Sequence, residues 1–122
     1  MKKRILIIDD DPRNIFALVA ILKAKAYETQ SCESAKQAIE LLKTDAVFDI
    51  ILIDMMMPEI DGYEAIPIIR SIPKRAKTHI IAVTAQAMMG DREKCLMAGA
   101  DDYLSKPIDV DKMFAMLLSS RP

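Results

Sequence analysis

Ile5-Leu6-Ile7-Ile8-Asp9-Asp10-Asp11-Pro12 is the stretch on which the fold turns. Four consecutive apolar residues, three of them β-branched, suit a strand buried on both faces. Such strands belong to parallel sheets covered by helices on either side. Asp11 before Pro12 then reads as a helix N-cap with proline at the first helical position. The same sequence of events returns twice. Ile50-Ile51-Leu52-Ile53 runs into Asp54, and Ile80-Ile81-Ala82-Val83 runs into Thr84. Tyr27 to Cys32 is a more polar candidate strand, which places it at a sheet edge. Asp102-Tyr103-Leu104 is a short candidate for the other edge.

The segments between these runs have helical spacing. Ile15, Leu18, Val19 and Leu22 share one face, as do Ala35, Ala38, Ile39 and Leu42, and Val110, Met113, Phe114 and Leu117. Ser34 with Gln37 reads as a capping box, and Gly99 after Ala98 as a glycine stop. Strands alternating with helices imply βαβ units and a parallel sheet, with five of each filling nearly the whole chain. One conflict stands out. Pro67 falls inside the third helical segment, Gly62 to Ser71, where it removes a hydrogen bond and crowds the preceding turn, so a kink or a late helix start is expected.

Composition narrows the function. The 122 residues are 52% hydrophobic and 29% charged with a net charge of −1, which fits one globular domain over residues 1–122 and excludes disorder. The balance lacks the basic footprint of a nucleic-acid binder. No apolar stretch approaches the ~18–20 residues a membrane helix needs. The start, Met1-Lys2-Lys3-Arg4 and a short apolar run followed by acids, is no signal peptide, so a cytoplasmic protein is expected. Cys32 and Cys95 suggest two reduced thiols rather than a disulfide.

In an open parallel sheet, ligands bind beyond the carboxyl ends of the strands. There the chain collects Asp9, Asp10 and Asp11 after the first strand, Asp54 after the third, Thr84 after the fourth and Lys106-Pro107 after the fifth. Taken singly, each is weak. Asp11 is explained by capping, and Lys106 and Thr84 could be an ordinary surface lysine and strand-end hydroxyl. Their joint placement on one rim carries the weight. Carboxylates without histidine or cysteine are hard-oxygen chemistry, suited to Mg²⁺. Thr84 and Lys106 then read as donors to phosphoryl oxygens. A carboxylate can itself be the nucleophile, forming an aspartyl phosphate, and Asp54 at the end of the central strand is the candidate.

With these motifs the chain resembles the receiver domain of two-component response regulators over nearly its entire length. The resemblance rests on Ile7-Ile8-Asp9-Asp10, on Ile53-Asp54-Met55-Met56-Met57-Pro58 with Asp61-Gly62, on Ala82-Val83-Thr84-Ala85, and on Tyr103-Leu104-Ser105-Lys106-Pro107. It implies a doubly wound, flavodoxin-like α/β fold with five parallel strands in the order 2-1-3-4-5. Asp54 would be the phosphoacceptor. Asp9, Asp10, Asp54 and the backbone carbonyl of Met56 would hold Mg²⁺, and Thr84, Ala85 and Lys106 the phosphoryl group. Pro107 would follow a cis peptide, and Tyr103 would be the aromatic switch that turns inward as Thr84 moves. The face formed by helix 4, strand 5 and helix 5 would meet the output partner. The implied donor is a histidine kinase or histidine phosphotransfer protein, with no direct nucleic-acid or membrane contact, and the domain a monomer or weak dimer.

Met56 and Gln86 occupy the two positions that tune phosphate lifetime in this family. Met56 cannot orient an attacking water, so slow self-hydrolysis is expected, over hours rather than seconds. Its apolar chain equally suits loop packing. His79, at the opposite rim, is expected to have no phosphorelay role. The run Gly90-Asp91-Arg92-Glu93-Lys94-Cys95-Leu96 reads as a solvated helix face, with no base to activate Cys95. Two versions of the leading reading survive, a stand-alone regulator and a receiver cut from a hybrid histidine kinase. The rivals are a Mg²⁺-dependent phosphohydrolase, which Met56 argues against because a second acid is usual there, and a phosphate-independent binding module.

Overall fold

The computed structural model describes residues 3–85 and 89–120. Its elements alternate as β1 (Arg4–Ile8), α1 (Pro12–Ala24), β2 (Glu28–Cys32), α2 (Ala35–Leu42), β3 (Ile50–Asp54), α3 (Gly62–Ser71), β4 (His79–Thr84), α4 (Asp91–Ala98), β5 (Asp102–Ser105) and α5 (Val110–Ser119), with a 3-10 turn at Pro73–Arg75. The strands form one parallel sheet ordered β2-β1-β3-β4-β5. β2 starts one residue later than the polar run suggests, and β5 extends to Ser105.

The central strands are apolar between their polar ends because both faces are covered. Ile5, Ile7, Ile50, Leu52, Ile81 and Val83 pack with Leu18 and Leu22 of α1 and Met113 and Leu117 of α5. The alternate residues, Leu6, Ile8, Ile51, Ile53, Ile80 and Ala82, pack with α2, α3 and Cys95 of α4. Each fully buried isoleucine contributes about 1.5–3 kcal/mol, so period-two alternation here divides two cores rather than core from solvent. Among the described residues no helix is long and apolar enough to cross a membrane.

The helix ends show what local chemistry decides. Asp11 caps α1 by accepting from the Arg13 N–H, with Pro12 at the first turn. Ser34 accepts from the Gln37 N–H, but the Gln37 side chain reaches back to the Glu33 N–H rather than that of Ser34, so the expected box is only half formed. The reciprocal box lies elsewhere, on α3, where Asp61 and Glu64 each accept from the other's backbone. That box starts α3 at Gly62, and the late start expected from Pro67 does not occur. Pro67 is exposed while Ala65, Ile66 and Ile69 are buried, so its ring sits on the solvent side of α3 and core burial outweighs the lost hydrogen bond.

The charged run is solvated at Arg92, Glu93 and Lys94, as expected, but not at Asp91. Asp91 and Cys95, four residues apart, form the buried side of α4, with only 4% of Asp91 exposed.

α1 and α4 end in the same motif. Tyr27 N–H bonds Leu22 O and Ala26 N–H bonds Lys23 O; Ala100 N–H bonds Cys95 O and Gly99 N–H bonds Leu96 O. The left-handed residue is Gly99 (φ 118°) in α4 but Ala26 (φ 67°) in α1. A left-handed alanine costs about 1–2 kcal/mol, partly offset in glycine by its looser unfolded chain. Ala26→Gly is therefore expected to stabilise the fold by about 0.5–1 kcal/mol, read as a raised urea midpoint at unchanged slope.

Candidate functional site

The carboxyl ends of β1, β3, β4 and β5 meet in one acidic cleft. Asp9 follows β1 and Asp54 ends β3, both buried, while Asp10 is exposed beside them. Each places a carboxylate oxygen within 4.8 Å of the others. Lys106, just beyond β5, reaches in from the far side, its Nζ 3.6 Å from Asp9 Oδ2 and 3.5 Å from Asp54 Oδ2. Thr84 closes β4 with no exposed surface, and Ala85 after it is exposed. Thr84 O accepts from the Lys106 N–H at 2.8 Å, so the two strand ends are tied. The Lys106–Pro107 peptide is cis.

Backbone and side-chain donors hold the acids in place. Asp9 Oδ1 accepts from the Asp11 N–H at 2.9 Å, and its other oxygen from Asn14 of α1 at 3.5 Å. Asp54 Oδ1 accepts from the Met56 N–H at 3.0 Å, which brings the Met56 backbone beside the cluster while the residue as a whole stays 47% exposed. Burial pushes the Asp54 carboxyl above its ordinary value. The Met56 N–H and the Lys106 ammonium pull it back, and Asp9 and Asp10 add to the rise. Three carboxylate oxygens so disposed, with water to complete the shell, fit Mg²⁺.

The loop from β3 to α3 is closed by Gly62. Its N–H bonds Met55 O, and a Cβ there would lie 2.8 Å from the Met55 Cα and 2.4 Å from its Sδ. A groove of about 230 Å³ opens beside the cleft, walled by Leu18, Ile21, Ile108 and Val110, with Asp9 and Lys106 lining it too.

The sequence-selected residues Asp9, Asp10, Asp54, Met56, Thr84, Ala85 and Lys106 thus share one rim. Tyr103 lies on β5 with its hydroxyl 3.4 Å from Asp91. Gln86 lies outside the described residues. His79 starts β4 at the opposite rim, buried, with Nε2 2.9 Å from Asp102 Oδ2. Burial raises the Cys95 thiol, which suits an inert core cysteine. Sequence reasoning missed Asn14, Tyr63 and Asp91. For Asp91, the spacing of four from Cys95 puts both on one helix face without saying what that face meets.

The response regulator receiver domain model matches residues 5–118. The chain belongs to that family, the receiver domains of two-component and phosphorelay signalling. It is 40% identical over 118 residues, 97% of its length, to the signal transduction histidine-protein kinase BarA of Escherichia coli, and spans 13% of that protein. Its structure matches the receiver domain of the sensor histidine kinase PA1611 of Pseudomonas aeruginosa, solved with a magnesium ion coordinated in the active site cleft. The TM-score is 0.86 at 35% identity, over 96% of this chain and 95% of that one. It also matches the receiver domain of the response regulator Ssk1 of Saccharomyces cerevisiae, co-crystallised with the histidine phosphotransfer protein Ypd1. There the TM-score is 0.83 at 25% identity, over 93% and 84% of the two chains.

Proposed function

We propose that Asp54 is the phosphoacceptor of this domain and that Asp9, Asp10, Asp54 and the Met56 carbonyl hold Mg²⁺ for the transfer. The observation that carries this is the buried Asp54 carboxylate lying between two further acids and the Lys106 ammonium. An oxygen of Asp54 bonds to phosphorus as the phosphorus–nitrogen bond of a phosphohistidine donor breaks and its electron pair returns to the imidazole. Met56 N–H fixes one carboxylate oxygen, and Lys106 meets the negative charge that gathers on the phosphoryl oxygens. Mg²⁺, when bound, supplies further positive charge at the same place. Thr84 and the Ala85 backbone bind the phosphoryl group once it is on Asp54.

The new charge draws Thr84 toward the site, and the connection after β4, α4 and β5 repack with Tyr103 turning inward. The α4–β5–α5 face is then the output surface, where Met97 and Leu118 are exposed. The domain accepts and slowly loses a phosphoryl group rather than turning over a substrate. The free, buried Cys32 and Cys95 suit a reducing compartment, which supports a cytoplasmic location.

The test is intact-protein mass after incubation with acetyl phosphate, with and without Mg²⁺. A Mg²⁺-dependent gain of one phosphoryl group, absent in Asp54→Ala, is expected. No gain in the wild type, or rapid release of inorganic phosphate without an adduct, overturns the proposal. Decay of the same peak checks Met56. A half-life of hours is expected, shortened in Met56→Asn, whose amide can orient an attacking water; a wild-type half-life of seconds refutes it.

A further inference from the structure

If phosphorylation of Asp54 displaces α4, something must hold α4 until then. The first turn of α4 follows a left-handed Gly90 (φ 88°) that offers no side-chain cap. Asp91, the first helical residue, is nevertheless buried, and its two oxygens are shared between two elements. Tyr63 of α3 donates to Oδ1 at 2.9 Å, and Tyr103 of β5 to Oδ2 at 3.4 Å. The Lys94 ammonium lies 4.9 Å from the centroid of the Tyr63 ring and adds a second tie between α3 and α4.

We propose that Asp91 is a latch: its buried carboxylate, bound by Tyr63 and Tyr103 together, holds α4 in the resting arrangement and sets how readily Asp54 accepts a phosphoryl group, a role that rests on the phosphoacceptor reading of Asp54. A carboxylate in this position is tolerated only while it is paired, because stripping a donor from a buried charge exposes its desolvation penalty. The start of a helix adds a favourable dipole. Burial and the neighbouring carboxylate push both phenols above their ordinary value, so both remain donors through the physiological range. Moving α4 away from α3 and β5 therefore breaks the charge-assisted hydrogen bond from Tyr63 and the longer contact from Tyr103 at one point. Tyr63 also ties the latch to the cleft. It directly follows Gly62, which packs on Met55, and the Met56 N–H beyond holds Asp54.

Tyr63→Phe removes one hydroxyl and keeps the ring under Lys94. With part of the bond's worth appearing in the equilibrium between the two arrangements, phosphorylation by acetyl phosphate is expected to quicken about three- to tenfold. The beryllofluoride concentration at half-saturation, with Mg²⁺ present, is expected to fall by the same factor. Asp91→Asn, which keeps one acceptor and removes the charge, is expected to shift both in the same direction. A residue with only a structural part would lower the urea midpoint and leave the rate and the beryllofluoride midpoint at wild-type values. That result, or slower phosphorylation, in folded variants overturns the latch. If wild type itself gains no phosphoryl group, the phosphoacceptor reading fails instead, so the two failures are distinct.

Discussion

Lys106→Met is expected to slow phosphorylation by acetyl phosphate about a hundredfold at saturating Mg²⁺, with the protein still folded. The magnitude is that of removing one fixed donor from a site where negative charge develops. Lys106 Nζ is 3.5 Å from Asp54 Oδ2 and 3.6 Å from Asp9 Oδ2, on a side chain only 23% exposed. Without it, Asp54 keeps its burial and its two acidic neighbours but loses the Lys106 ammonium that opposes them. Lys106→Arg is expected to recover only part of the rate, because a planar guanidinium does not occupy the place of a compact ammonium. The initial rate of mass gain measures both. A rate within about threefold of wild type for Lys106→Met would take Lys106 out of the phosphoryl site.

Gly62→Ala is expected to destabilise the fold by about 2–3 kcal/mol, although alanine is the better helix former by about 1 kcal/mol. The sign is set by contact. An added Cβ meets the Met55 backbone at 2.8 Å, and the Met55 side chain it also meets is itself fully buried. The start of α3 must then back away from β3, and the Met55–Met56 segment moves with it. Mg²⁺ affinity is expected to fall along with the urea midpoint, because the Met56 backbone is part of the proposed shell. A variant as stable as wild type would mean the loop relaxes without cost.

Much of this fold is legible in the sequence. Ile5–Ile8, Ile50–Ile53 and Ile80–Val83 are strongly specified because burial on both faces admits only apolar residues. The polar Glu28–Cys32 lies at an edge for the complementary reason. The cleft was legible because each acid or donor directly follows such a run. α3 was harder. Pro67 is a local signal against helix, and its exposure, which makes it tolerable, depends on packing. Asp61 and Glu64, at capping-box spacing, carried the missing information. In α4 the solvated face holds for Arg92, Glu93 and Lys94, and only Asp91 departs from it. Whether Asp91 faces solvent or two tyrosines is settled by where α3 and β5 lie, which spacing along α4 does not report.

α4 is held very differently at its two ends. At the far end Arg70 of α3 donates to Gly99 O at 2.8 and 3.1 Å and to Asp101 Oδ2 at 2.8 Å. It also donates to the carbonyls of Arg75, Ala76 and Thr78. That end is a pivot fixed by one guanidinium. Eight residues at about 1.5 Å each make a lever roughly 12 Å long, so a tilt of about 10° carries Asp91 some ~2 Å while Gly99 stays in place. Two ångströms is enough to break a hydrogen bond, so a small rotation about Arg70 suffices to part Asp91 from both phenols at once.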